Sequence, residues 1–170
     1  MNDEVMNIVV AGIGGQGVLK STDIVADAAF RSGYDVKKSE IHGMSQRGGS
    51  VSSDVRFGDR VYSPMVPGGE ADVLVVLEDS QVEVNRHRLR EGGTLLTPGF
   101  IDMDELPRKK TLNVALLGVL STMLDIDEDT WLEAIEAQLP AHFHEANRKA
   151  FELGRMARCP AKPNSKGHEH

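Results

Sequence analysis

The sequence predicts a three-layer α/β fold with a mostly parallel sheet flanked by helices, and three observations carry that prediction. A strand, a glycine turn and a helix follow one another without interruption near the start. Val5 to Ala11 (VMNIVVA) is a short buried strand, Gly12-Ile13-Gly14-Gly15-Gln16-Gly17 is the turn, and Val18 to Phe30 carries apolar residues at helical spacing. Val73 to Leu77 is a continuous, largely β-branched run, as expected of a parallel strand buried on both faces. The last third of the chain holds three segments with helical periodicity.

Taken in order, the first helix spans residues 18–32, with Val18, Ile24, Val25, Ala28 and Ala29 on one stripe and Gly33 as the residue that ends it. Tyr34 to Ile41 is a short, polar second strand, placed to complete a βαβ unit. Val51 to Phe57 alternates: Val51, Val55 and Phe57 take one face, and Ser52, Asp54 and Arg56 take a wetter one. Gly58-Asp59 suggests a hairpin-like turn into 60–63, and the prolines and glycines of 64–69 suggest a loop. A polar helix is expected over 78–90, closed by Gly92-Gly93, with a short strand at 94–97. Helices follow at 112–124, 127–139 and 143–157. The first is apolar nearly all round and so is expected between other layers. Residues 1–158 are expected to form one domain and 159–170 a polar tail without structure.

Composition narrows the function classes. The chain has 170 residues, 40% hydrophobic and 26% charged, and 19 basic against 26 acidic residues give a net charge of −7. That balance disfavours a general nucleic-acid surface. Cys159 is the single cysteine, so this chain alone builds neither an internal disulfide nor an iron–sulfur cluster. His87, His142 and His144 lack the spacing of metal ligands, and no metal is expected. The start MNDEVMN has no cationic stretch before an apolar run, and Val114 to Leu120 is too short to span a bilayer. A cytoplasmic protein without a membrane partner is expected.

Chemistry concentrates in two glycine-rich stretches. Gly12, Gly14 and Gly17 have the spacing of the dinucleotide fingerprint, after a strand and opening a helix. Such a turn suits phosphate, because the helix start offers unpaired N–H groups and a positive dipole end. A nicotinamide dinucleotide also calls for an acid at the end of the second strand. Asp35 stands at the start of that strand rather than its end, and Glu40 runs straight into another loop, so this support is poor. A turn that merely packs helix on strand is the plainer alternative. The second stretch, His42-Gly43-Met44-Ser45-Gln46-Arg47-Gly48-Gly49, places Arg47 among glycines, where its guanidinium can approach a phosphate or carboxylate bidentately. A solvated turn with Arg47 paired to a surface acid is the plainer reading here. We expect both stretches to face one site.

Together, GIGGQGVLKSTDIVADAA and EIHGMSQRGGSVSSDVRFG resemble the gamma-type domain of the 2-oxoacid:ferredoxin oxidoreductases, the indolepyruvate-type beta subunits being nearest in pattern. Residues 72–77 (DVLVVL), Gly92-Gly93, Asn113-x-x-x-Leu117-Gly118 and Asn147-x-x-Ala150-x-x-x-Gly154 extend the resemblance over residues 5–157. It implies a Rossmann-like module that docks on a large alpha subunit bearing thiamine diphosphate and [4Fe-4S] clusters, in a hetero-oligomer that reduces ferredoxin. The reaction implied is oxidative decarboxylation of an aryl 2-oxoacid, such as indolepyruvate, with coenzyme A to give an acyl-CoA. The chain would be inactive alone and would hold no catalytic residue. By the same resemblance Gly12, Gly14, Gly15, Gln16 and Gly17, with Ser45, Gln46, Arg47, Gly48 and Gly49, are the expected coenzyme A contacts, Arg47 being the charged one. Two other readings stand beside it. A stand-alone coenzyme A- or nucleotide-binding module is the alternative, whereas a self-sufficient dehydrogenase lacks a visible His–Asp or Tyr–Lys pair.

Overall fold

The computed structural model describes residues 4–42 and 49–157. Five strands form one sheet: β1 (Met6–Ile13), β2 (Asp35–His42), β3 (Ser50–Gly58), β4 (Ala71–Val76) and β5 (Leu89–Leu96), in the spatial order β2-β3-β1-β4-β5. β1 runs parallel to β4 and β4 to β5, while β3 is antiparallel to both β1 and β2. Four of the five strands therefore point one way. The helices are α1 (Val18–Arg31), α2 (Val82–Asn85), α3 (Leu112–Ser121), α4 (Glu128–Gln138) and α5 (His144–Met156).

One sheet face carries the main core. Ile8, Val10, Val55, Phe57, Val73, Val75 and Leu96 meet the apolar sides of α1, α3, α4 and α5. Nine of α3's ten residues are buried, as its all-round hydrophobicity predicts. Trp131 and Phe151, both fully buried, lie 6.0 Å apart between ring centroids and belong to this core. Gly33, at φ 90°, ends α1: the Tyr34 amide donates to the Ala29 carbonyl and that of Gly33 to the Phe30 carbonyl. Tyr34 packs on Phe57, and burial first, then the carboxylates of Asp125 and Asp59, push its phenol above the usual value.

The opposite face has a thin third layer. Val9, Ala11, Leu74 and Val76 pack with Leu89 and Leu95 of β5 and against Val66 and Val82 rather than under a long helix. Here the sequence expectations need four corrections. The strand at 35–42 runs in the direction of β1 but is not its neighbour, because β3 doubles back from β2 and takes the place beside β1. The turn at 58–59 does not open a hairpin: residues 60–63 have no regular structure, and Val61 is buried, as is Val66 farther along the loop. The helix expected over 78–90 is three short turns, a 3-10 turn at Asp79–Gln81, α2, and another at Arg86–Arg88. Gly92-Gly93 does not end a helix but lies inside β5, where a Cβ on Gly93 would fall 2.7 Å from Leu89 and 3.0 Å from the Ala71 carbonyl.

The polar face of β3 is also drier than its alternation suggests. Asp54 is fully buried, its Oδ2 accepting from the Val66 amide at 2.9 Å and the Arg88 guanidinium at 2.7 Å. Arg56 donates to the Asn7 side-chain oxygen, and Asp72 accepts from Arg90 and from the Asn7 amide. A short loop cover thus turns an outward-facing alternation into a buried ionic layer.

Candidate functional site

The glycine turn sits where β1 and β4 end side by side. The Leu77 amide donates to the Ala11 carbonyl at 2.8 Å, so the chain leaves β4 just beside the turn. β3 and, beyond it, β2 lie on one side of this pair and β5 on the other, so the chain's successive strands diverge here, the usual place for ligands in open α/β sheets.

Within the turn the side chain of Gln16 folds back. Its Oε1 accepts from the Ile13 amide at 2.9 Å, while its backbone N–H donates to the Ile13 carbonyl at 3.2 Å. Its Nε2 donates to Glu78 Oε2 at 2.8 Å. A Cβ on Gly12 would fall 2.8 Å from that same Gln16 Oε1 and 3.3 Å from Leu77 Cβ, so a side chain there would crowd the turn where it closes on β4. Gly17 sits at φ 83° at the head of α1, and a Cβ on it would lie 2.6 Å from Asn113 Nδ2. The Gly17 carbonyl accepts from the Ser21 amide, the Ser21 hydroxyl and Asn113 Nδ2, which joins the start of α1 to the start of α3.

A cavity of about 400 Å³ opens between these helix starts, bounded by Gly15, Gln16 and Gly17, by Leu77, and by Lys109 and Lys110 with the first residues of α3. No side chain caps either helix, and neither has an acid in its first turn. Lys109 and Lys110 are exposed at the rim and make no ion pair with a carboxylate among the described residues. Two positive dipole ends and two ammonium groups thus meet at one opening of an acidic protein. The arrangement suits a phosphate-bearing anion.

The second glycine-rich stretch is anchored beside this turn. Gly14 N–H donates to the Gly49 carbonyl at 3.0 Å, and Ser50 pairs with Ile13 as β3 begins. Both roots of the loop therefore stand at the site's end of the sheet, since His42 registers with Val51. Ser45, Gln46, Arg47 and Gly48 lie outside the described residues, as does Cys159. Of the expected contacts, Gly15, Gln16 and Gly17 line the cavity, while Gly12 and Gly14 shape the turn behind it and tie it to Gly49. Glu78, Lys109 and Lys110 join the site without having been expected there. The lysines' only local signal is their pairing just ahead of an apolar helix, and Glu78 has none. Asn113 is part of the motif that carries the resemblance, and the structure gives it a role at the turn. Among the described residues no group of histidine, cysteine or carboxylate side chains is arranged to hold a metal, and no helix is long and apolar enough to cross a membrane.

Comparison with known proteins agrees with this geometry. Residues 7–157 match the model of the pyruvate ferredoxin/flavodoxin oxidoreductase family. Indolepyruvate oxidoreductase subunit IorB of Thermococcus kodakarensis is 33% identical over 188 aligned residues, spanning 87% of this chain and 93% of that one. The gamma subunit of a keto/oxoacid ferredoxin oxidoreductase from Geobacter sulfurreducens superposes with a TM-score of 0.74 at 25% identity, covering 89% of this chain and 94% of its own. The 2-oxoglutarate:ferredoxin oxidoreductase of Magnetococcus marinus, solved with 2-oxoglutarate, coenzyme A and succinyl-CoA bound, shares the fold with a TM-score of 0.78 at 22% identity, over 96% of this chain and 34% of that larger one. With the glycine turn, the anchored second loop and a family match running from β1 to the end of α5, the chain belongs to the pyruvate ferredoxin/flavodoxin oxidoreductase family.

Proposed function

We propose that this chain, an oxidoreductase subunit by its family, holds the phosphates of coenzyme A for a 2-oxoacid:ferredoxin oxidoreductase whose larger partner carries the thiamine diphosphate and [4Fe-4S] clusters. The observation that carries the reading is the convergence on one cavity of two uncapped, acid-free helix starts and two lysines that pair with no carboxylate among the described residues. Thiamine diphosphate on the partner would supply the decarboxylation chemistry. This chain's residues would bind and orient. Gly15 and Gly17 let a phosphate approach the backbone, and Lys109 and Lys110 supply charge at the rim. Arg47, from the loop rooted at Gly49, is the third cation we assign to the ligand.

An aryl 2-oxoacid such as indolepyruvate is the substrate we propose, supported by the similarity to the indolepyruvate oxidoreductase subunit. The test is anaerobic viologen or ferredoxin reduction with indolepyruvate and coenzyme A, by this chain alone, by its large partner alone and by the two co-expressed. Activity should require both. In the complex, replacing Lys109 and Lys110 together by alanine should raise the KM for coenzyme A by about tenfold or more, as expected for losing two charge-assisted contacts partly exposed to water. Arg47→Ala should act in the same direction. A complex that forms but turns over no 2-oxoacid, while the chain still retains coenzyme A or nucleotide, would leave a binding module without this reaction.

A further inference from the structure

We propose that Glu78 is a positioning residue for the ligand-binding turn, acting through Gln16. The inference rests on the coenzyme A reading of the cavity. Gln16 lines that cavity, but both ends of its amide are already engaged: Oε1 holds the Ile13 N–H and Nε2 is held by Glu78. It is a strut rather than a free hand. Glu78 is the residue immediately after Leu77, whose amide is fixed to β1, so its carboxylate stands on the end of the most buried strand of the sheet. The bond it accepts at 2.8 Å is charge-assisted and so is stronger than one between neutral groups.

The strut also restrains its neighbours in the chain. Gln16 sits between two glycines of positive φ, Gly15 at 90° and Gly17 at 83°, which have many conformations open to them. Holding Gln16 at both ends of its amide restricts the glycines on either side and therefore the direction of their N–H groups. Glu78 itself is not among the residues that bound the cavity. A carboxylate touching the ligand would oppose a phosphate, whereas one pointed at Gln16 fixes the turn from behind.

The experiment uses the co-expressed complex, with assembly checked by gel filtration, and measures kcat and the separate KM values for coenzyme A and 2-oxoacid. Glu78→Ala should raise the KM for coenzyme A about tenfold, the scale of one lost charge-assisted hydrogen bond, and leave the KM for 2-oxoacid within about twofold. Glu78→Gln keeps an oxygen for Gln16 Nε2 and should restore most of the loss. Gln16→Ala should match Glu78→Ala, and the double variant should be no worse than the poorer single one, because the two act as one unit. Should Glu78→Ala fail to assemble, Gln16→Ala carries the same comparison. If Lys109→Ala/Lys110→Ala raises the coenzyme A KM and neither Glu78→Ala nor Gln16→Ala does, the strut is overturned and the cavity reading stands. An unchanged coenzyme A KM in the double-lysine variant overturns both. Equal loss in both KM values and in kcat, unrelieved by Glu78→Gln, shows a merely structural role and also overturns the proposal.

Discussion

Replacing Asp54 by alanine should cost about 3–5 kcal/mol of folding free energy, the scale for breaking a buried ion pair on one side. The reason is the charge left behind. Arg88, whose side chain is 11% exposed, would keep its charge under the loop cover with no counter-ion, and the Val66 amide would lose its acceptor. The full pair need not stabilise the fold relative to an apolar one, since desolvation offsets the attraction. Only the half-removed pair is costly. Asp54→Asn should be milder, about 1–3 kcal/mol. Its oxygen can still accept from Val66 and Arg88, but its NH2 would enter the position of Asp54 Oδ1, which has no hydrogen-bond partner among the described residues. Urea denaturation of the wild type and both variants, with equal slopes, measures the difference. A loss below about 1 kcal/mol for the alanine variant would mean that Arg88 swings out to water.

Gly154→Ala should be comparably damaging for a wholly different reason. α3 and α5 cross so closely that a Cβ on Gly154 would fall 1.8 Å from the Ala115 carbonyl oxygen, and one on Gly118 would fall 2.2 Å from that of Phe151. Backbone is in the way on both sides, so the two helices must move apart and lift Ala150 and Phe151 from the core. Alanine is favoured over glycine in a helix by about 1 kcal/mol, but overpacking a tight contact costs about 1–3 kcal/mol or more. With the two helices forced apart, the net loss should be about 2–3 kcal/mol, a fall in Tm of about 5–10 °C for a chain of this size. Thermal melts followed by circular dichroism test it. A Tm equal to the wild type would show that the crossing is looser than this geometry.

Both sites show why parts of the fold were open to sequence reading and parts were not. Periodicity is local. The alternation of Val51, Val55 and Phe57, the stripe from Val18 to Ala29 and the all-round apolar run of α3 follow from backbone geometry over a few residues, and each appears where expected. Burial of the polar side of β3 depends on a loop that crosses from 60 to 70, which no periodicity in β3 encodes. The glycines of 92–93 look like a helix stop in isolation. Only the pairing of Leu89 with Ala71 and of Thr94 with Val73, on either side of them, places these glycines within a strand.

The candidate site divides in the same way. Strand, glycine turn and helix are contiguous, so the sequence alone determined a turn suited to phosphate, and the pairing of its motif with the second loop's motif pointed to the family. The tertiary structure decided which distant residues join that turn. Glu78 arrives just past the end of β4, Lys109 and Lys110 just ahead of α3 and Asn113 within it, and Gly49 is tied to Gly14 where β3 meets β1. The physical reason is range. A turn's conformation is set by its own residues, whereas the charges and struts around it are brought together by strand order, and strand order follows from burial summed over the whole sheet.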